Sequence, residues 1–350
     1  MTALRVLVCE DSRVYAAALR LMLEYDGDIK VVAICATAEE AIAALPSLQP
    51  DLVTMDVELP SLDGLQAVEQ IMSAQPLPIL VLSAHLGAGN DKAAAALAAG
   101  ALEALAKEDL DLRERAGAAG TAFRHRVKVL SRARVIRHPR ARLGGSPSGR
   151  PGGGPAAPRR ASVIGICGST GGPHILACIL DQLPADYPIP ILIVQHIAAG
   201  FTEGLARWLD QSAPLSVGIA ADGMRAARGA WIAPEGAHLK LAATGWLALD
   251  RHTVAGRHRP SGDVLLGSIA TAAGRVGVGV VLSGMGRDGA VGAAAIRSSG
   301  GLAIAQDEES SAVYGMPKAA IDLGVDLVLS PGGITAHLLG LIHAPLPGAR

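Results

Sequence analysis

Residues 5–23 read RVLVCEDSRVYAAALRLML, and the fold follows from how that stretch divides. Arg5–Cys9 is a short Val/Leu run of the kind a buried parallel strand needs. Glu10 and Asp11 come next, and Ser12–Tyr25 then carries apolar residues at helical spacing. Strand, acidic turn and helix make one βα unit. The same alternation continues downstream. Apolar runs at Val31–Cys35, Asp51–Met55 and Ile79–Ser83, with a weaker one at Ala101–Ala106, flank helical patterns at Ala38–Leu45, Gly64–Ala74 and Asp91–Ala99. This predicts an N-terminal α/β domain around a five-stranded parallel sheet, with helices on both faces.

The pattern stops in a segment of a different kind. From Thr121 to Arg160 there is no Asp or Glu, and the second half reads RLGGSPSGRPGGGPAAPRR. Gly, Pro and Ser at that density do not build a core, so residues 121–160 read as a basic linker. A second α/β pattern follows. Its expected strands are Ser162–Cys167, Ile189–Val194, Ser216–Ile219, Ala230–Ile232, Val276–Leu282 and Leu302–Ala305. Its expected helices are Pro173–Gln182, Gly200–Gln211, Val264–Ala273 and Gly289–Ser298. The expected division is residues 1–120, a linker at 121–160 and a doubly wound α/β domain at 161–345.

Composition narrows the function. The 350 residues carry 31 Lys+Arg against 32 Asp+Glu, a net charge of −1, which argues against a chain-wide nucleic-acid surface. Aromatic residues are 3% of the chain, too few for a base-stacking platform. Cys9, Cys35, Cys167 and Cys178 form no CxxC pair and lie in apolar surroundings, as reduced core thiols do. Glu10 and Asp11 break the first apolar run, so it does not read as a signal peptide. No apolar run reaches the roughly 20 residues that span a bilayer. The expectation is a cytoplasmic protein with no direct membrane insertion.

The expected strand ends carry chemistry. Glu10 and Asp11 follow the first strand, Asp56 and then Glu58 the third, Ser83 closes the fourth and Lys107 follows the fifth. Residues past the carboxyl ends of parallel strands converge on one edge. Carboxylates gathered there with oxygen ligands favour Mg²⁺, and a lysine and hydroxyl beside them suit a phosphoryl group. Taken together, residues 1–109 resemble a response-regulator receiver domain of flavodoxin-like fold. The resemblance implies that Asp56 accepts phosphate from a sensor histidine kinase of the CheA type. Glu10, Asp11, Asp56 and the Glu58 carbonyl would hold Mg²⁺, with Ser83 the switch hydroxyl and Lys107 the phosphate-pairing lysine. Two positions depart from the usual receiver pattern: Glu108 follows the lysine in place of Pro, and Ala104 stands where an aromatic is frequent.

The second domain opens SVIGICGSTGGP, with Ser169 between an apolar strand and a helix in a run of small residues. A glycine-rich phosphate turn and a strand–turn–helix nucleophile both fit that stretch. No P-loop lysine follows, and no acidic residue sits at the ribose-binding distance. A serine nucleophile needs a base and an orienting group. His196 ends the strand IPILIVQ, and Asp288 lies in SGMGRDGA after another strand. His174 is a rival base, and Asp222 and Asp263 are rival carboxylates. His238, His252 and His258 are further histidines; the last two read as surface or groove residues.

Six stretches, GSTGGP, QHIAAGFTEGLA, WIAPEGAHL, GRHRPSGDVLL, LSGMGRDGA and AQDEESSAVYGMPKAA, are similar in order to the catalytic domain of CheB-type protein-glutamate methylesterases. The resemblance spans residues 161–345, with Cys167-Gly168 in place of the usual Gly-Ala before the serine. It implies Ser169 as nucleophile, His196 as base and Asp288 as orienting carboxylate, with backbone N–H groups at Thr170 and Met285 as oxyanion donors. It also implies hydrolysis of glutamate γ-methyl esters on chemoreceptor cytoplasmic domains, deamidation of receptor glutamines, and no cofactor for the esterase step. Arg257 and Arg259 are expected to bind receptor carboxylates. The competing expectation is a receptor-binding adapter or phosphate sink with little esterase activity.

Overall fold

In the computed structural model, which describes residues 3–60, 62–84, 91–135, 161–253 and 258–342, the opening apolar run is β1 (Leu4–Cys9). The chain divides into two compact bodies, each with its own core. In the first, β1 is followed by α1 (Arg13–Leu23), β2 (Ile29–Cys35), α2 (Ala38–Leu48), β3 (Leu52–Asp56) and α3 (Gly64–Ala74). Then come β4 (Ile79–Ser83), α4 (Asp91–Ala99), β5 (Glu103–Ala106) and α5 (Ala118–Leu130). The five strands are all parallel, in the order β2-β1-β3-β4-β5.

Every residue of β3 and β4 is buried, which is why these strands read as unbroken apolar runs rather than alternating ones. Leu7, Val53, Val68 and Val81 are fully buried in this core. Helix starts are capped as their sequences dictate. Ser12 accepts from Tyr15 N–H, and Thr37 accepts from Glu40 N–H while the Glu40 carboxylate accepts from Ala36 N–H. Register does the rest. Cys9 pairs with Met55 and Ser83 with Ala106, so Glu10, Asp56, Ser83 and Lys107 emerge on one edge.

The domain boundary expected at residue 120 falls inside α5. Phe123, Val127 and Leu130 recur at helical spacing and are buried. Arg124 is buried among them, its Nε donating to Asp26 at 2.6 Å and Nη1 to the Arg115 carbonyl at 2.7 Å. The helix therefore belongs to the first core. The Gly/Pro-rich stretch expected as a linker, residues 136–160, lies outside the described residues.

The second body contains β6 (Val163–Gly168), α6 (Gly172–Asp181), β7 (Ile191–Gln195), α7 (Thr202–Ser212) from Leu205 on, β8 (Val217–Ile219) and β9 (Ala230–Ile232). The chain continues through β10 (His238–Leu241), β11 (Leu247–Asp250), α8 (Gly262–Ala273), β12 (Gly277–Val281) and α9 (Ala290–Ser298). It ends with β13 (Leu302–Gln306), α10 (Met316–Leu323), β14 (Leu327–Leu329) and α11 (Pro331–Gly340). Seven strands form one parallel sheet, β14-β13-β12-β6-β7-β9-β8, and β10 and β11 make an antiparallel hairpin. From β6 the chain winds outward through β7, then crosses to β12 on the other side of β6. That reversal is a topological switch point, and open α/β sheets bind their ligands at the carboxyl ends of the strands there. The core around it includes Leu192, Val194, Leu265, Leu266, Ile269 and Ile296, all fully buried.

Cys9, Cys35 and Cys167 are buried, Cys178 is half-buried, and all four are free thiols. Among the described residues no helix is long and apolar enough to cross a membrane.

Candidate active site

β12, β6 and β7 are adjacent, so the three residues expected at their ends share one edge of the sheet. Ser169 directly follows β6, and its N–H donates to the Ser283 carbonyl just past β12 at 3.0 Å. His196 directly follows β7, and its N–H donates to the Gly168 carbonyl at 2.9 Å. Asp288 lies between β12 and α9. His196 Nε2–H donates to Asp288 Oδ2 at 2.8 Å. That leaves Nδ1, buried and with no hydrogen-bond partner among the described residues, as the ring's proton-accepting atom.

The turn at Ser169 is tight for a physical reason. Gly171 has φ of +75°, and a Cβ there would lie 2.6 Å from the Ala312 side chain. α6 starts immediately afterwards, with Pro173 in its first turn, so helix-start N–H groups lie close to the serine. Thr170, an expected oxyanion donor, is buried in this turn. Met285, the other, follows Gly284, where a Cβ would be 2.7 Å from Ser169 Cβ. The two turns thus flank the serine.

Asp288 is held as an anion. Besides His196, it accepts from Ser261 Oγ at 2.7 Å, Gly262 N–H at 2.6 Å and Asp263 N–H at 3.1 Å. The last two are at the start of α8, where the helix dipole favours negative charge. Burial opposes the charge, but the bonds from His196, Ser261, Asp263 and Gly262 overcome it and hold the carboxyl well below the usual carboxylate range. Ser261 was not singled out from the sequence. It sits in GRHRPSGD, which reads as groove lining, whereas it is the α8 cap turned onto Asp288.

The rivals are placed elsewhere. His174 lies edge-on to Trp208 at 6.1 Å between ring centres. Asp222 accepts from Leu249 N–H, and Asp263 accepts from Gly292 N–H at the α8–α9 contact. His238 is buried, with Nε2–H donating to the Thr253 carbonyl, and His252 is exposed. His258 stacks on His196, with ring centres 4.2 Å apart and planes 17° apart, so it belongs to the site rather than to the general surface. Arg259 is exposed, but its Nη1 and Nη2 donate to the Arg251 and Thr253 carbonyls, which commits much of the guanidinium to its own loop. Arg257 lies outside the described residues. Cys167 does not crowd the serine turn, because its Sγ lies against the backbone at Gly262 and Gly289.

The first body carries a separate acidic pocket. Oxygens of Glu10, Asp11 and Asp56 come within 4.8 Å of one another, with Glu10 and Asp56 buried and Asp11 exposed. Lys107 Nζ lies 2.7 Å from both Glu10 Oε2 and Asp56 Oδ2, and 4.7 Å from the centre of the Tyr15 ring. Glu58 N–H donates to Asp56 Oδ1 at 3.0 Å. Burial raises the Glu10 carboxyl, with Lys107 acting against the rise. Burial works to lower Lys107, yet its bonds to Asp56 and Glu10 leave it above its ordinary value. Ser83 Oγ is buried with no hydrogen-bond partner among the described residues. An unsatisfied hydroxyl beside a lysine and three carboxylates fits a site built to receive both a hard cation and an anionic oxygen.

Comparison with known proteins agrees with both bodies. Residues 164–338 match the family described as CheB methylesterase, and residues 6–115 match the response regulator receiver domain. The chain is 42% identical over 354 aligned positions to a Myxococcus xanthus protein named protein-glutamate methylesterase/protein-glutamine glutaminase 3, covering 99% of this chain and 96% of that one. It is 41% identical to a protein of the same name from Anaeromyxobacter dehalogenans, covering 96% of this chain and 98% of that one. Among solved structures, the Thermotoga maritima CheB methylesterase catalytic domain is 39% identical, with a TM-score of 0.50. The match covers 52% of this chain and 98% of that domain.

Proposed function

Because this chain belongs to the CheB methylesterase family and carries a response regulator receiver domain ahead of the catalytic one, we propose that it is a phosphorylation-regulated protein-glutamate methylesterase and protein-glutamine glutaminase. Its substrates are glutamate γ-methyl esters and glutamines on the cytoplasmic domains of chemoreceptors, and it acts in the cytoplasm. The observation that carries the chemical reading is the 2.8 Å bond between His196 Nε2 and a multiply anchored Asp288, on the sheet edge that also bears Ser169.

The mechanism follows from the atoms. Ser169 Oγ attacks the ester carbonyl carbon, and its proton passes to His196 Nδ1, the atom left without a partner. The negative charge that develops on the carbonyl oxygen is met by backbone N–H groups of the Thr170 and Met285 turns. His196 returns the proton to the methoxy oxygen, and methanol leaves. Water, deprotonated at the same Nδ1, then cleaves the acyl-enzyme to give glutamate. Asp288 accepts the hydrogen bond from Nε2–H throughout, fixing the tautomer and stabilising the imidazolium. With glutamine as substrate the leaving group is ammonia.

In the receiver, Asp56 accepts the phosphoryl group of a phosphohistidine on a sensor kinase of the CheA type. Glu10, Asp11, Asp56 and the Glu58 carbonyl are the residues that would hold Mg²⁺, which when bound neutralises charge on the phosphoryl oxygens. Lys107 pairs with the phosphoryl group, and the unsatisfied Ser83 hydroxyl donates to it. Phosphorylation of Asp56 raises the esterase rate.

The test is methanol release from methylated receptor cytoplasmic fragments, with and without a small-molecule phosphodonor. The native chain should release methanol and respond to the phosphodonor. Ser169→Ala should lose at least about 10³-fold in rate, and Asp56→Asn should keep basal release but lose the response. Undiminished release from a folded Ser169→Ala protein would overturn the nucleophile assignment, and a retained response in Asp56→Asn would overturn the phosphorylation site.

A further inference from the structure

β6 and β7 run side by side until Gly168, whose carbonyl takes the N–H of His196. There the ladder ends. The chain turns at Ser169 into α6 on one strand and leaves β7 through His196 on the other. Beyond the ladder, nucleophile and base must still hold one geometry.

Gln195, the last residue of β7, occupies this point and is 4% exposed. Its side-chain Nε2 donates to the Ser169 carbonyl at 2.8 Å and to the His196 carbonyl at 2.9 Å. A primary amide nitrogen has two N–H bonds, and both are spent here. The space for it comes from two glycines. A Cβ on Gly168 would lie 2.9 Å from Gln195 Oε1, and one on Gly172 would lie 2.3 Å away. The glycines of GSTGGP thus serve the amide as well as the turn. Oε1 is buried with no hydrogen-bond partner among the described residues, so the group is held for its donors. Burying an amide oxygen in this way costs stability, which a purely space-filling apolar residue would avoid.

We propose that Gln195 is a positioning residue for the esterase reaction, its amide clamping the main chain of Ser169 to that of His196 and so fixing Oγ against Nδ1. The proposal rests on the reading of Ser169 and His196 as nucleophile and base. Gln195 does not touch substrate. It acts by keeping two turns in register where the sheet no longer does, and small displacements at a reacting pair are expensive in rate. Glutamate at this position would place an acceptor against two carbonyl oxygens, while methionine keeps length and bulk and removes both donors.

The test uses the full-length chain and methylated receptor fragments. Gln195→Met should lower kcat about 10- to 100-fold with KM unchanged, and should slow modification of Ser169 by phenylmethanesulfonyl fluoride in proportion, while the circular dichroism spectrum stays native. Wild-type kcat and labelling rate in a folded Gln195→Met protein would overturn the proposal, as would a loss confined to KM. Should Gln195→Met not fold, Gly172→Ala decides. It retains the Gln195 amide but displaces it, and the same kcat-only loss is expected, with undiminished kcat overturning the clamp. Ser169→Ala, run alongside, separates the two readings. If Ser169→Ala is inactive and the Gln195 and Gly172 variants are unimpaired, only the clamp fails. If Ser169→Ala stays active, the nucleophile assignment fails and the clamp with it.

Discussion

Asp288 shows how much of a buried carboxylate's behaviour is decided by atoms far away in sequence. Three of its four partners belong to the segment Ser261–Asp263, and only the fourth is His196. The strand-end placement of Ser169, His196 and Asp288 was legible, because apolar runs locate strand ends and polar residues just past them stand out. Ser261 was not legible, because nothing local says that the cap of one helix will face the loop before another. The consequence is measurable. The folded-state value of Asp288 lies below the roughly 3.9 of an unfolded aspartate. Its ionisation therefore favours the fold above about pH 4, and that contribution is lost as pH falls toward the folded-state value. The melting temperature of the native chain should exceed that of Asp288→Asn at pH 7, and the gap should narrow as pH drops below about 4. A gap that stays constant from neutral to strongly acidic pH would show that the charge of Asp288 is not what its neighbours stabilise.

Among the elements, most strands of the two parallel sheets were legible, edge strands β2, β5 and β8 included, while the β10–β11 hairpin and edge strand β14 were not. Ile79–Ser83 and Ala230–Ile232 match the expected runs residue for residue. β10 (HLKL) and β11 (LALD) have four residues each, and the polar residues in them blur the apolar signal. β14 is only half-buried, so its burial leaves little trace in the sequence. α5 was hidden by composition, since its buried stripe runs through an arginine-rich stretch. The packing of α8 was also invisible, because it depends on a missing side chain. A Cβ on Gly262 would lie 2.7 Å from Cys167 Cβ and 3.1 Å from its Sγ. Gly262→Ala should therefore destabilise the esterase body by about 1–3 kcal/mol through overpacking. The penalty should be smaller in a Cys167→Gly background, with a coupling of about 0.5 kcal/mol or more in a double-mutant cycle read by urea denaturation. Strict additivity would place the clash elsewhere.

Taken as a whole, the molecule is two cores in one chain, and the compositional break after the first core was plain from the sequence. Its position was not, because an acid-free, arginine-rich stretch looks the same whether it is helix or tether until Arg124 finds Asp26. The thiols of the two cores give the molecule a pair of internal clocks. Cys9 and Cys35 lie inside the receiver and Cys167 inside the esterase body, and burial pushes all three thiols up, away from the reactive thiolate. Alkylation at these positions must wait for the surrounding body to open. Half-buried Cys178, pushed up to about 11, should label first and serve as the native-state reference. In pulsed iodoacetamide labelling along a urea series, read by peptide mass spectrometry, Cys9 and Cys35 should become reactive together and report the receiver alone. Cys167 should follow the esterase body on its own schedule. Each half of the chain thus carries a natural chronometer of its opening, with no label to install.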